Sequence, residues 1–108
     1  MVMEFIEMAA FQKAWNDMDL TDDDLLELEV RLLINPNLGK VIKGSGGARK
    51  VRCEAYGKGK SGGVRVIYVN IVVDKAIYFI FAYPKSIKDT LTDQEIKSIK
   101  KMVELLKS

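Results

Sequence analysis

Eight basic residues and a single acid, Glu54, lie between Lys40 and Arg65, interleaved with seven glycines. Concentrated positive charge beside glycines, which let a backbone approach a ligand closely, suits a polyanionic partner. The chain has no histidine. That excludes Ser–His and Cys–His catalysis and histidine metal sites. Any proton transfer must therefore use Lys, Arg, Tyr, Asp or Glu. Residues 1–39 are the electrostatic opposite, with nine acids against Lys13 and Arg31, so a net charge of +2 conceals −7 beside +7. One phosphate motif is ruled out. Gly59-Lys60-Ser61 looks like the end of a Walker loop, but the glycine required five residues before Gly59 is Glu54.

The elements that must position these cations follow from periodicity. Val51, Cys53 and Ala55 alternate with Arg52, Glu54 and Tyr56, the pattern of a half-buried strand. Gly57 to Gly63 reads as a flexible hairpin loop with Lys58 and Lys60 at its tip. Val64 to Val73 are almost continuously apolar, which predicts one strand covered on both faces with Arg65 at its mouth. Asp74-Lys75 suggests a tight turn, and the aromatic, β-branched run Ala76 to Tyr83 the next strand.

Upstream, Val2 to Ile6 reads as a short strand, and Met8, Phe11, Trp15 and Met18 share one helical face as core. Thr21 caps a second helix whose start Asp22, Asp23 and Asp24 complement the dipole. Leu25, Leu28 and Leu32 with Leu26, Val30 and Leu33 predict a wide apolar stripe, ended by Asn35-Pro36. Thr92 opens the last helix with a capping box to Glu95 and a staple from Leu91 to Ile96. Ile96, Ile99, Val103 and Leu106 form its inner stripe, with Lys97, Lys100, Lys101 and Lys107 in solvent. The order of elements predicts an α+β fold: an antiparallel-dominated sheet with two N-terminal helices and a C-terminal helix.

A length of 108 residues, 48% hydrophobic and 30% charged, bounds this to a single globular domain over residues 1–108. No apolar run approaches the roughly 20 residues of a membrane helix. The acidic stretch from Met1 to Glu7 is too short for a signal peptide, so a cytoplasmic location is expected. The lone Cys53 reads as a core thiol. Neither cofactor nor metal is expected.

Three stretches together resemble a known family: Gly44 to Tyr68 (G-x-G-G-x-R-K-x-R…G-K-G-K-x-G-G-x-R-V-I-Y), Asn35-Pro-Asn-Leu-Gly-Lys-Val-Ile42, and Tyr83-Pro-Lys85. The pattern, spanning roughly residues 22–90, is similar to the HigB branch of the RelE-like toxins of bacterial toxin–antitoxin pairs. It differs from related toxins in having Pro84 where glycine is usual, Val69 in place of a second aromatic, and no tyrosine after Tyr83.

The resemblance implies the compact RelE fold and an endoribonuclease that cuts messenger RNA in the ribosomal A site. Attack of a ribose 2′-hydroxyl on its own 3′ phosphate needs a proton acceptor, a proton donor and cations around the phosphorane. The expected catalytic residues are Arg65, clamping the phosphate, and Lys58, Lys60 and Lys85, supplying charge and proton transfer. Arg49, Lys50 and Arg52 are expected to grip RNA backbone, and Tyr83 to stack on a base. Tyr68 reads as packing and Lys88 as solvated surface. The implied partners are messenger RNA, the ribosome and a HigA-like helix-turn-helix antitoxin, with no membrane. The competing reading is a non-catalytic RNA-binding module, or an inactivated toxin that binds an antitoxin.

Overall fold

The computed structural model describes residues 3–54, 63–88 and 90–108. Its elements are β1 (Glu4–Glu7), α1 (Ala9–Asp17), α2 (Asp22–Ile34), β2 (Lys40–Val41), β3 (Arg49–Cys53), β4 (Val64–Ile71), β5 (Ala76–Pro84) and α3 (Asp93–Lys107). They build a five-stranded sheet in the order β1-β5-β4-β3-β2. β1 runs parallel to β5 and every other pairing is antiparallel. The expected α+β architecture is what the chain adopts.

Helices cover both faces of the sheet. Phe11 and Trp15 of α1 and Leu25, Leu28 and Leu32 of α2 pack with Val66, Tyr68, Ile77 and Phe79. The Phe11 ring stacks on Trp15 at 5.3 Å and on Phe79 at 5.1 Å between centroids. On the opposite face Ile99 and Val103 of α3 pack with Ile67, Val69 and Ile80. β4 is buried on both sides because its alternate residues feed these two cores. Capping boxes start α2 (Thr21 with Asp24) and α3 (Thr92 with Glu95).

Three expectations are corrected. β4 stops at Ile71, the residue paired with Ala76, and Val72–Asp74 wind into a 3-10 turn closed by Lys75 N–H on the Val72 carbonyl. Val73 is consequently 89% exposed, and Lys75 takes a left-handed φ of 53°. The apolar stripe of α2 is narrower than its sequence suggests. Leu26, Val30 and Leu33 stay exposed, because the apolar side chains that the helix buries against the sheet are Leu25, Leu28 and Leu32. Finally, β2 is an extra two-residue strand beyond β3. The turn between them has Gly44, Gly46 and Gly47 at positive φ. Inside it the buried Ser45 hydroxyl donates to the Ile42 carbonyl and accepts from Ala48 N–H.

Candidate nucleic-acid interface

Register decides which cations meet. Arg52 of β3 lies directly opposite Arg65 of β4, and Arg65 in turn opposite Tyr83 of β5. Directly paired residues project from the same face, and so do alternate residues of one strand. Lys50 therefore shares this face and stands opposite Lys40 of β2. Like charges facing each other across a ladder are destabilising, on a scale of about 0.2–1 kcal/mol per pair. The sheet holds two such pairs in neighbouring rows. Arg52 Nε sits 3.3 Å from Glu54 Oε1, but both side chains are about half exposed, so the pair offsets little.

Pleating separates Arg49 from its sequence neighbours. It is paired with Tyr68 and faces the α2 side, where its Nη1 donates to the carbonyls of Gly39 at 2.7 Å and Asn37 at 3.2 Å. The basic run Arg49-Lys50-Val51-Arg52 is thus two arginines on opposite faces. Arg49 clamps the 37–39 segment instead of extending the basic face. Tyr68 is wholly buried, as a packing residue should be, and Cys53 is buried too. Burial, with Glu27 adding to it, pushes the Cys53 thiol up to about 11, far from a reactive thiolate.

The far end of β5 brings the remaining groups together. Tyr83 is only 4% exposed and packs with Leu91, Ile99 and Val103, while Lys88 Nζ lies 5.6 Å above its ring. A base cannot stack on a ring enclosed in this way, so the stacking expected of Tyr83 does not fit its placement. Lys88, expected as solvated surface, also pairs with Glu95. Hydrogen bonding from Lys88 holds the Glu95 carboxyl below its ordinary range. Lys85 is exposed on the turn after β5, and its N–H donates to the Gly63 carbonyl at 3.2 Å. This bond brings the turn to the mouth of β4, two residues from Arg65. Lys58 and Lys60, expected beside it, lie outside the described residues.

Gly63 is the joint of this corner. Its φ is +76°, and a Cβ there would sit 2.8 Å from the Cys53 carbonyl oxygen, a backbone atom that cannot swing aside. Gly63→Ala is expected to cost about 1–3 kcal/mol of stability. A chemical denaturation midpoint equal to that of the wild type would remove this role.

Sequence reasoning counted Lys40 in the basic stretch but gave it no role in the site. Two residues are too few for strand periodicity to register, and only pairing with β3 places Lys40 opposite Lys50. Among the described residues, no His, Cys, Asp and Glu side chains group in a way that could hold a metal ion, and no helix is long and apolar enough to cross a membrane.

The chain is thus an α+β domain with helices on both faces of a sheet that carries a basic edge, and comparison with known proteins specifies its class. Residues 3–108 match the family described as the RelE toxin of the RelE/RelB toxin–antitoxin system, and the chain belongs to that family. It is similar in structure to a double-arginine mutant of the E. coli toxin RelE in the free state. The TM-score there is 0.60 at 17% identity, covering 95% of this chain and 98% of that one. The isolated E. coli RelE toxin gives 0.58 at 15% identity, covering 94% and 99%. The intact E. coli RelBE toxin–antitoxin complex gives 0.57 at 18% identity, covering 77% and 96%. At these identities the likeness is one of fold.

Proposed function

We propose that this protein is an endoribonuclease toxin that cuts messenger RNA on the ribosome, in the A site. The observation that carries this reading is the corner at the mouth of β4. There Arg65 stands opposite Arg52, and Gly63 ties in the turn bearing Lys85. In the reaction the ribose 2′-oxygen gives up its proton and bonds to the adjacent phosphorus. The P–O5′ bond breaks and O5′ takes up a proton, leaving a 2′,3′-cyclic phosphate and a 5′-hydroxyl end. Arg65 holds two non-bridging oxygens as charge builds on the phosphorane. Lys58, Lys60 and Lys85 supply further charge and the proton acceptor and donor. The protein's own cations do this work, so no cofactor or metal enters the scheme. Arg52 and Lys50 hold neighbouring phosphates.

The same reading supplies the partners. The resemblance to the HigB branch points to a HigA-like helix-turn-helix antitoxin, and an acidic or helical segment of it suits the basic face. The toxin acts in the cytoplasm, where ribosome and message are found.

The test is inducible expression in a bacterial host, with primer extension on a translated message and Lys85→Ala in parallel. Growth arrest with new cleavage sites, lost in Lys85→Ala, is the expected outcome. Cleavage that survives Lys85→Ala moves the proton transfer to the lysine loop. No arrest and intact message would sink the enzyme and leave an RNA-binding module.

A further inference from the structure

Beyond Lys50 the outer edge of β3 has no partner strand among the described residues, because β2 pairs only with Arg49 and Lys50. A cavity of about 430 Å³ opens there, walled by Arg31, Gly39, Lys40, Lys50, Arg52 and Arg65 among others. Among its described lining residues there is no carboxylate. That volume falls within the range of small-ligand sites.

Arg31 is the unexpected member. It belongs to the acidic part of the chain, on a helix of the opposite layer, yet its Nη1 reaches the sheet edge and donates to the Arg52 carbonyl at 3.1 Å. One of its five N–H donors is fixed in this way, which orients the guanidinium plane at the cavity wall. Lys40 arrives from the other side on β2, held against Lys50 by register. Five cations thus converge at this edge, four of them in cross-strand like-charge pairs, and their summed positive field suits an anionic ligand.

We infer that this edge cavity is a second phosphate subsite, in which Arg31 and Lys40 hold a phosphodiester of the RNA strand outside the one being cut. The inference rests on the RNA reading of the basic face. Arg65 borders both the cavity and the reacting corner, so a strand with its scissile phosphate at Arg65 continues over Arg52 and Lys50 to the edge. From β4 to β2 is two inter-strand spacings, roughly 10 Å, which places the subsite beyond the reacting phosphate itself. An acidic peptide would satisfy the same charges, but continuity with the phosphate-cutting corner favours the nucleic acid.

Binding of a short single-stranded 2′-O-methyl RNA, which has no attacking hydroxyl, is measured by fluorescence polarisation across a salt series. Arg31→Gln and Lys40→Gln are each expected to flatten the slope of log Kd on log salt by about 0.7. Each should weaken binding by roughly tenfold at low salt. Lys101→Gln, on the exposed side of α3, should change neither. Arg31→Lys keeps the charge and should keep the slope, which separates the loss of a phosphate contact from misfolding. Lys40 is exposed, so its variant is not at risk of unfolding. Wild-type slope and affinity in both glutamine variants would overturn the subsite while leaving RNA binding, and the proposed function, intact. A wild type that binds no RNA at low salt would sink both. Loss of poly-glutamate binding in the same variants, with RNA binding unaltered, would make the cavity a protein-docking site and equally overturn the inference.

Discussion

Arg65→Ala is expected to slow RNA scission by roughly 10²–10³-fold, the effect of removing one pre-positioned donor from developing oxyanion charge, or about 2.7–4 kcal/mol. The expectation comes from where register puts the side chain. Arg65 is one pair in from the start of β4, flanked by Arg52 and Tyr83, and Lys85 N–H bonds the Gly63 carbonyl just beside it. In the proposed reaction a guanidinium there would present parallel donors to two phosphate oxygens, a geometry a lysine cannot reproduce. Arg65→Lys should therefore recover only part of the rate although the charge is kept. Single-turnover cleavage of RNA by the purified protein measures both variants, and thermal unfolding measured alongside separates chemistry from folding. Unchanged cleavage in Arg65→Ala would remove Arg65 from the reaction.

The parts of this architecture legible in the sequence are those whose signal is local. Thr21 before its three acids and Thr92 with Glu95 announce helix starts within four residues; the expected box forms at Thr92, and Thr21 forms one with Asp24 as well. Phe11 with Trp15, and Ile99 with Val103, keep helical spacing because each helix faces one core. What local pattern could not supply was pairing. Nothing in Lys40-Val41 marks a strand until β3 lies beside it, and nothing in Arg31 marks a sheet-edge residue until α2 is packed across the sheet. The strand Val64 to Val73 ran two residues too long, because β-branched residues read alike whether or not a partner faces them. At the candidate site, Arg49, Lys50 and Arg52 were expected to act together, but pairing puts Arg49 on the face opposite Arg52. Only the structure shows that Arg49 is committed to the Asn37 and Gly39 carbonyls, and that Tyr83 is roofed by Lys88.

Tyr68→Ala should be among the most destabilising single substitutions in the chain, by about 3–5 kcal/mol, because the ring is fully buried in the central strand. The hydroxyl carries a separable share. It accepts from Gly39 N–H at 2.9 Å and donates to the Pro36 carbonyl at 2.8 Å, so it staples the segment that enters β2. Burial pushes the phenol's pKa up and keeps the donor proton in place. The fit is close: a Cβ on Gly39 would lie 3.0 Å from Tyr68 Cε1 and 2.8 Å from the Lys50 carbonyl oxygen. Tyr68→Phe keeps the ring and strands both backbone groups, for an expected loss of about 1–3 kcal/mol. Denaturant titration measures the total, and hydrogen exchange at the Gly39 amide locates it. If the staple positions β2, exchange in Tyr68→Phe should speed at Gly39 more than at the amides of β5. Lys40 would lose its fixed place opposite Lys50, and the RNA salt slope should flatten as it does in Lys40→Gln. A Tyr68→Phe protein with wild-type stability and an unaltered Gly39 amide would show that ring packing alone holds the 36–41 segment. The basic edge would then depend on Arg49 and its two carbonyl contacts.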